Sequence, residues 1–402
     1  MRESTKSFLS LCFVLLLIFL LILGVRKYPV FSAELPSEEP EETPFAELPS
    51  EELLARYEEA EKELLLWTAD EEMENFLKQG AVDFFRETGT AAAIEYKDPA
   101  FFLEQIYDAS CGEEGVYPDL FLCGGDVLEE AVLLGLAEKQ ERSPDPENAP
   151  SETAENAARL RGESYGFPLC FDTPVFVYIK EAIPEEPASI EEILRQVSEE
   201  GLKIEVGNIL EWDLNDEFYD LAFLGDCYEF SDEVKGHLTV KTDEKLLSEK
   251  MNYLSELSDA ITLDASALSE ETVVNHLNHL VTACAFIDSD DLSKLRVEYG
   301  VLPTVPLTDR LFSTGCAETE MLLVNSFSDR KEKAASFAAF LSRQEAEKVH
   351  ALSPHYSVYA DANREDDDAA VFLAYENAQP LPHSMDSEDF LKSLRLEILK
   401  IF

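Results

Sequence analysis

The sequence predicts an α/β protein with two lobes, each a mostly parallel sheet flanked by helices. Three observations carry this. At 402 residues the chain is longer than one core usually serves, since single cores stop growing at about 250–300 residues. Its composition is 46% hydrophobic, enough for compact cores despite 83 acidic residues. Segments of helical period alternate with short apolar runs, the pattern of sheets covered by helices.

The elements follow in chain order. Phe8 to Gly24 is an uncharged run just long enough to cross a hydrocarbon core, behind a short basic segment. It reads as a secretory signal peptide or an uncleaved signal anchor within residues 1–33. The anchor is favoured, because cleavage after Ala33 would put Phe31 where a small side chain is needed. Residues 34–63 read as an acidic Pro/Glu-rich stalk and a short helix, with ELPSEE at both 34–39 and 47–52. Ser50 caps that helix, which runs through Leu53, Leu54, Tyr57 and Ala60. Leu64–Thr68 is a strand, Glu72–Thr88 a helix, Ala91–Tyr96 a strand, Phe101–Ser110 a helix and Pro118–Leu122 a strand. Residues 140–157, with Pro144, Pro146 and Pro150 among charges, read as a surface loop. Val175–Ile179 is a strand. Ser189 with Glu192 forms a capping box opening the helix through Val197. Val273–Leu280 and Thr282–Ile287 repeat helix then strand, and Lys331–Leu341 and Ser387–Ile401 are amphipathic helices.

Charge narrows the function. The balance is 32 − 83 = −51, and residues 1–33 alone carry +3, leaving −54 beyond them. Such a chain repels phosphates, so nucleic acid is excluded as a partner and the membrane is met only through the N-terminal segment. The sequence has no GxxxxGK[ST], GxGxxG after a strand, GxSxG or HExxH, so the common nucleotide, hydrolase-elbow and zincin readings fall away. No cofactor is expected, and no metal. His276 and His279 read as an exposed helix end, and the acidic runs at Asp288–Asp291 and Asp361–Asp368 lack the Gly and terminal Glu of a calcium loop. Without a CxxC, Cys123, Cys170 and Cys284 read as small buried thiols in apolar strands.

Several stretches in order resemble the extracellular solute-binding proteins of ABC importers, of the maltose-binding-protein-like family. These are Leu65-Leu66-Trp67-Thr68 with the helix to Gly89; Pro118-Asp119-Leu120-Phe121 through Gly124, Gly125 and Asp126 to Leu134-Gly135-Leu136-Ala137; and Tyr165-Gly166-Phe167-Pro168 with Asp172-Thr173-Pro174. Tyr299-Gly300-Val301-Leu302-Pro303, the Ala334–Leu341 helix and Tyr375-Glu376-Asn377-Ala378-Gln379 complete the series. The resemblance implies a two-lobed periplasmic-binding-protein-like fold of type 2, joined by hinge strands. Lobe 1 would take residues 64–170 with about 318–346, and lobe 2 residues 171–317 with about 347–402. It implies a monomer that closes on a small solute, expected to be a carbohydrate, and delivers it to ABC permease subunits without catalysis.

Carried over residue by residue, the resemblance places Glu71, Asp126, Asp172, Asp216, Phe218 and Tyr219 at the cleft. The stacking tryptophans of maltose binders do not survive, since Cys123, Asp290 and the Phe390/Leu391 pair occupy or adjoin those positions. Of the two tryptophans, Trp67 is expected in a strand core, which leaves Phe218, Tyr219 or Tyr228 to stack on a ligand. Two rival readings remain: a degenerate binding fold serving as receptor or scaffold, and a carboxylate-based glycosidase.

Overall fold

The structure is a computed structural model. It describes residues 50–112, 116–141, 149–211, 213, 217–231, 238–258, 270–302, 305–306, 312–313, 315–363, 366–382 and 387–398. The expected membrane span, most of the stalk, Trp212 and Asp216 lie outside these residues. No helix among the described residues is long and apolar enough to cross a membrane.

Among the described residues, two main sheets are built chiefly from β1 Lys62–Thr68, β2 Ala91–Tyr96, β3 Leu120–Gly124, β4 Gly166–Asp172, β5 Pro174–Ile179, β6 Asn208–Glu211, β7 Thr282–Asp288, β8 Tyr299–Leu302, β9 Cys316–Val324 and β10 Tyr356–Ser357. The first sheet runs β10-β4-β9-β3-β1-β2, and Gln379–Pro380 adds a short parallel pairing to β9. The second runs β8-β5-β7-β6. Both sheets are mixed. The expected parallel pairing holds for β1 with β2 and β3, and for β6 with β7. The strands that carry the chain between sheets enter antiparallel: β9 against β3 and β4, and β5 against β7 and β8. A hinge strand reaches its sheet from the other lobe without a covering helix, so nothing obliges it to run parallel.

Alternation along the strands separates two cores on the first sheet. Leu64, Leu66, Leu322 and Val324 pack with Phe76, Phe84, Phe337 and Leu341 on one face, while Leu65, Trp67, Met321 and Leu323 pack with Phe102 and Ile106 on the other. Trp67 is 6% exposed and belongs to that second core, as its strand pattern implies. The second sheet has its own core, from Val175 and Phe286 to Tyr375, Leu394 and Ile398 of the last two helices. Phe171 of β4 stacks face to face on Tyr375, with centroids 3.7 Å apart, fastening the C-terminal helices to the hinge.

Local signals account for most boundaries. The Ser50 side chain accepts from the Leu53 amide, and helix 51–59 ends at Glu59. Ser189 accepts from the Glu192 amide at 3.0 Å, and Glu192 reaches back to the Ala188 amide at 2.9 Å, one residue before the usual capping-box partner. The expected loop at 140–157 is corrected at its end. Residues 152–157 form a helix capped by Ser151, because Thr153, Ala154 and Ala157 face inward and the Thr153 hydroxyl donates to the Ala378 carbonyl. Residues 142–148 lie outside the described residues.

Gly300 of β8 lies directly opposite Tyr178 of β5, whose ring covers it. A Cβ there would stand 2.4 Å from the ring and its hydroxyl. Gly300→Ala is therefore expected to destabilise the protein by about 1–3 kcal/mol, the usual cost of overpacking. Urea unfolding checks this, with a lower midpoint and an unchanged slope as the outcome.

Candidate functional site

The site forms where β1, β3, β4 and β9 end together. Register brings acidic side chains into it: Glu318 of β9 pairs directly with Asp172 of β4, and Glu320 lies between Cys170 of β4 and Gly124 of β3. Period two puts both glutamates on one face of β9, while the intervening Thr319 hydroxyl meets the Tyr375 hydroxyl at 2.8 Å. Like charges directly opposite each other on neighbouring strands are destabilising, so this register needs compensation.

His355 supplies it. It follows Pro354 at the entry to β10, and its side chain is 7% exposed. Nδ1 lies 3.0 and 3.1 Å from the two oxygens of Asp172, and Nε2 lies 3.1 Å from Asp70 Oδ2. A ring with a carboxylate at each nitrogen donates from both, which requires the imidazolium form. Burial alone would lower its pKa. The hydrogen bonds to Asp172 and Asp70, with the charges of Asp172 and Glu320, push it instead up to about 12.

Asp70 is held for this contact by its turn. The Thr68 hydroxyl accepts from the Asp70 amide at 3.0 Å, and Asp70 Oδ1 accepts from the Glu72 amide at 2.8 Å, leaving Oδ2 for His355. Asp172 is set by the hinge step into β5, where the Thr173 amide donates to Ser289 Oγ at 3.0 Å and its carbonyl accepts from the Ser289 amide. Asp290, just beyond β7, brings the second sheet's contribution close to Asp172 and His355.

One imidazolium does not balance this many carboxyls, and several retain their protons. Burial, then Asp126, Asp172 and Glu320, pushes Glu318 up to about 8. Burial and Asp70 push Glu320 to about 8, and burial, Asp172 and Asp291 push Asp290 to about 7, with His355 pulling all three back. Burial also raises Asp126 and drives the Cys123 and Cys170 thiols well up. Two ligand sets of cation-binding type occur, Asp70 with Glu320 and His355, and Asp172 with Asp290 and His355.

Beside the cluster opens a cavity of about 470 Å³, within the usual range for small-ligand sites. Asp70, Asp126, Glu130, Glu320 and Cys123 line it, and Phe101 and Phe102 stand at its helix side.

The expected site residues divide. Asp126 and Asp172 stand in the cavity wall and the cluster. Glu71 is exposed, and its neighbour Asp70 makes the inward contact, because the turn after Thr68 directs residue 70 toward β4. Tyr219 is 3% exposed in the core of the second sheet, and Tyr228 is packed against Phe230 and Phe390. Phe218 is half-buried, 6.2 Å from the Tyr219 ring. The buried rings are core, since their apolar faces are already covered. The expected exposed helix end at His276 is also corrected, because its Nδ1 lies 2.9 Å from the buried Glu211. Sequence reading passed over His355, Asp70, Glu318 and Glu320. Only the glutamates carried a signal, two charges at period two inside the otherwise apolar strand CAETEMLLV.

Two predictions follow from these charges. A raised carboxyl pKa stabilises the folded state below its ordinary value and loses that contribution as pH climbs through the folded value. For Glu318 and Glu320 the loss runs from about 4.5 to about 8. The raised His355 acts in the same direction above 6.5. The melting temperature should thus fall between about pH 5 and about pH 8, less steeply in Glu318→Gln/Glu320→Gln. His355→Ala leaves Asp70 and Asp172 facing each other unpaired. It is expected to cost about 3 kcal/mol by denaturant unfolding, the lower end for a broken buried pair, because both carboxylates keep about a fifth of their surface in water.

No protein-family model matches the chain, and no curated protein does. Among solved structures, a cyclo/maltodextrin-binding protein complexed with maltotetraose is similar with a TM-score of 0.70, at 17% sequence identity, over 85% of this chain and 92% of that one. At that identity the likeness concerns the fold, the two-lobed α/β fold of sugar-binding proteins expected from the sequence.

Proposed function

We propose that the chain is an extracellular solute-binding protein. Residues 8–24 tether it to the membrane, and it takes a small polar solute of carbohydrate type by lobe closure and passes it to an ABC permease formed by other chains. The observation that carries this is convergence: Asp70, Asp126 and Glu320 of the first sheet line one cavity, and His355 links Asp70 and Glu320 to Asp172 at the crossing and to Asp290 beyond the second sheet's β7. Carboxyl oxygens accept from solute hydroxyls, and an aromatic rim covers C–H surface. Closure needs only differential affinity, because a solute touching both lobes favours the state in which they meet. The similarity to a sugar-binding protein supports the reading, and binding rather than catalysis is the simplest use of the site.

A second reading, a binding fold serving as receptor or scaffold, is favoured by His355, whose own side chain spans the space between Asp70 and Asp172.

A thermal-shift screen separates them. For the binder, a solute at a hundred times its Kd adds about 2.7 kcal/mol of stability, and small-angle scattering of the same sample shows a smaller radius of gyration. If no solute shifts the melting transition or the radius, the scaffold reading is left.

A further inference from the structure

Asp290 presents an oxygen that the protein itself does not serve. Its Oδ1 is buried and has no hydrogen-bond partner among the described residues. Lys294, in the same turn, forms its ion pair with Asp291 instead. A buried carboxylate oxygen without a donor costs free energy, so the position calls for a positive group from outside the chain.

Two further ligand atoms, from distant stretches of sequence, converge there. His355 Nδ1 lies 3.0 Å from Asp172 Oδ1, and with a carboxylate oxygen of Asp290 these ligand atoms all lie within 4.8 Å of one another. Ligands about 2.1 Å from an ion stand about 3.0–3.4 Å apart, so His355 and Asp172 are already at a coordinating separation and Asp290 has a short distance to close. The backbone holds the two aspartates near each other. They flank Thr173 and Ser289, which are joined by two hydrogen bonds.

The other edge of the ring fits the same chemistry. Nε2 lies 3.1 Å from Asp70 Oδ2. A metal-binding histidine usually donates its second N–H to a carboxylate, which fixes the ring and makes the coordinating nitrogen more basic. The alternative set on the Nε2 side, Asp70 with Glu320, has no buried oxygen lacking a partner among the described residues.

We propose that His355 Nδ1, Asp172 and Asp290 bind one divalent transition-metal ion of the zinc type, with water completing its coordination. Binding displaces the Nδ1 proton to solvent, while Nε2 keeps its proton and its bond to Asp70. The imidazole nitrogen selects such an ion over calcium or magnesium, which take oxygen ligands. Asp290 follows β7 of the second sheet, whereas Asp172 ends β4 and His355 enters β10 of the first, so the ion ties the two sheets together at the crossing. This assignment goes beyond the solute-binding reading and does not depend on it.

The test is calorimetry and thermal shift on the untagged full-length protein in detergent micelles, stripped with chelator and titrated separately with zinc and calcium chloride. The wild type should bind one zinc ion per chain, melt at a higher temperature with it, and prefer zinc to calcium by about tenfold or more. Asp290→Asn keeps the side chain's size and relieves like-charge repulsion, so the fold is retained, which melting curves verify. It should weaken zinc binding by about tenfold or more. Glu320→Gln removes a neighbouring charge but no ligand, and should weaken zinc less. His276→Gln, at the other histidine–carboxylate pair, should leave zinc binding unchanged. With copper in place of zinc, electron paramagnetic resonance should show coupling to one imidazole nitrogen, lost in His355→Gln. The assignment is overturned if zinc does not saturate, if calcium binds as tightly, or if Asp290→Asn binds zinc like the wild type. It is also overturned if His276→Gln abolishes binding, or if Glu320→Gln weakens zinc more than Asp290→Asn does, which would put the ion on the Nε2 side. No sugar enters these titrations, so their failure leaves the solute-binding reading standing.

Discussion

The organising constraint is the register of β9 against its neighbours. That strand is shared by the first sheet and the crossing, and its pairing places Glu318 against Asp172 and Glu320 against Cys170. Slipping by one residue would remove the clash of charges but would turn Leu322 and Val324 out of one core and Met321 and Leu323 out of the other. The apolar half of the strand therefore fixes where its acidic half lies. The protein accommodates the result with one imidazolium and with protons held on carboxyls.

This arrangement links fold to function through position. A hinge is where two lobes approach, and groups set there sense both. His355 joins Asp70, at the end of a first-sheet strand, to Asp172, at the last residue before the chain leaves for the second sheet. The surrounding architecture is conventional: period-two strands divide two cores on the first sheet, and the Phe171–Tyr375 stack carries the C-terminal helices onto the crossing. The polar cluster is the exception to that economy, and buried polar groups that break local rules are where function is expected.

Much of the fold was legible in the sequence because it is written locally. The apolar runs of Leu64–Thr68 and Val175–Ile179 and the cap at Ser189 each state their element without reference to distant residues. Strand direction at the hinges was not legible, since whether β9 runs with or against β3 depends on the path of the chain between lobes. The site was half legible. Asp126 and Asp172 sit beside recognisable turns, whereas His355 in Ser353-Pro354-His355-Tyr356 has no pattern around it, and its role arises only when residues 70, 172 and 355 meet. Tyr219 and Tyr228 lie in the core of the second sheet, a placement their sequence does not state, because a ring looks the same in sequence whether it faces a ligand or a core.

The thiols carry a consequence of their own. Cys123 and Cys170 are buried beside Asp126, Glu320 and Asp172, and both burial and those negative charges disfavour the thiolate; Cys284 and Cys316 are shielded by burial in the same way. Attack on a disulfide or an electrophile proceeds through thiolate, so these sulfurs are chemically silent while the protein stays folded. Among the described residues only Cys111 is exposed. In an oxidising medium the buried Cys123, Cys170, Cys284 and Cys316 are thus kept from exchange, and mixed-disulfide formation or alkylation at these four positions becomes a report of local unfolding.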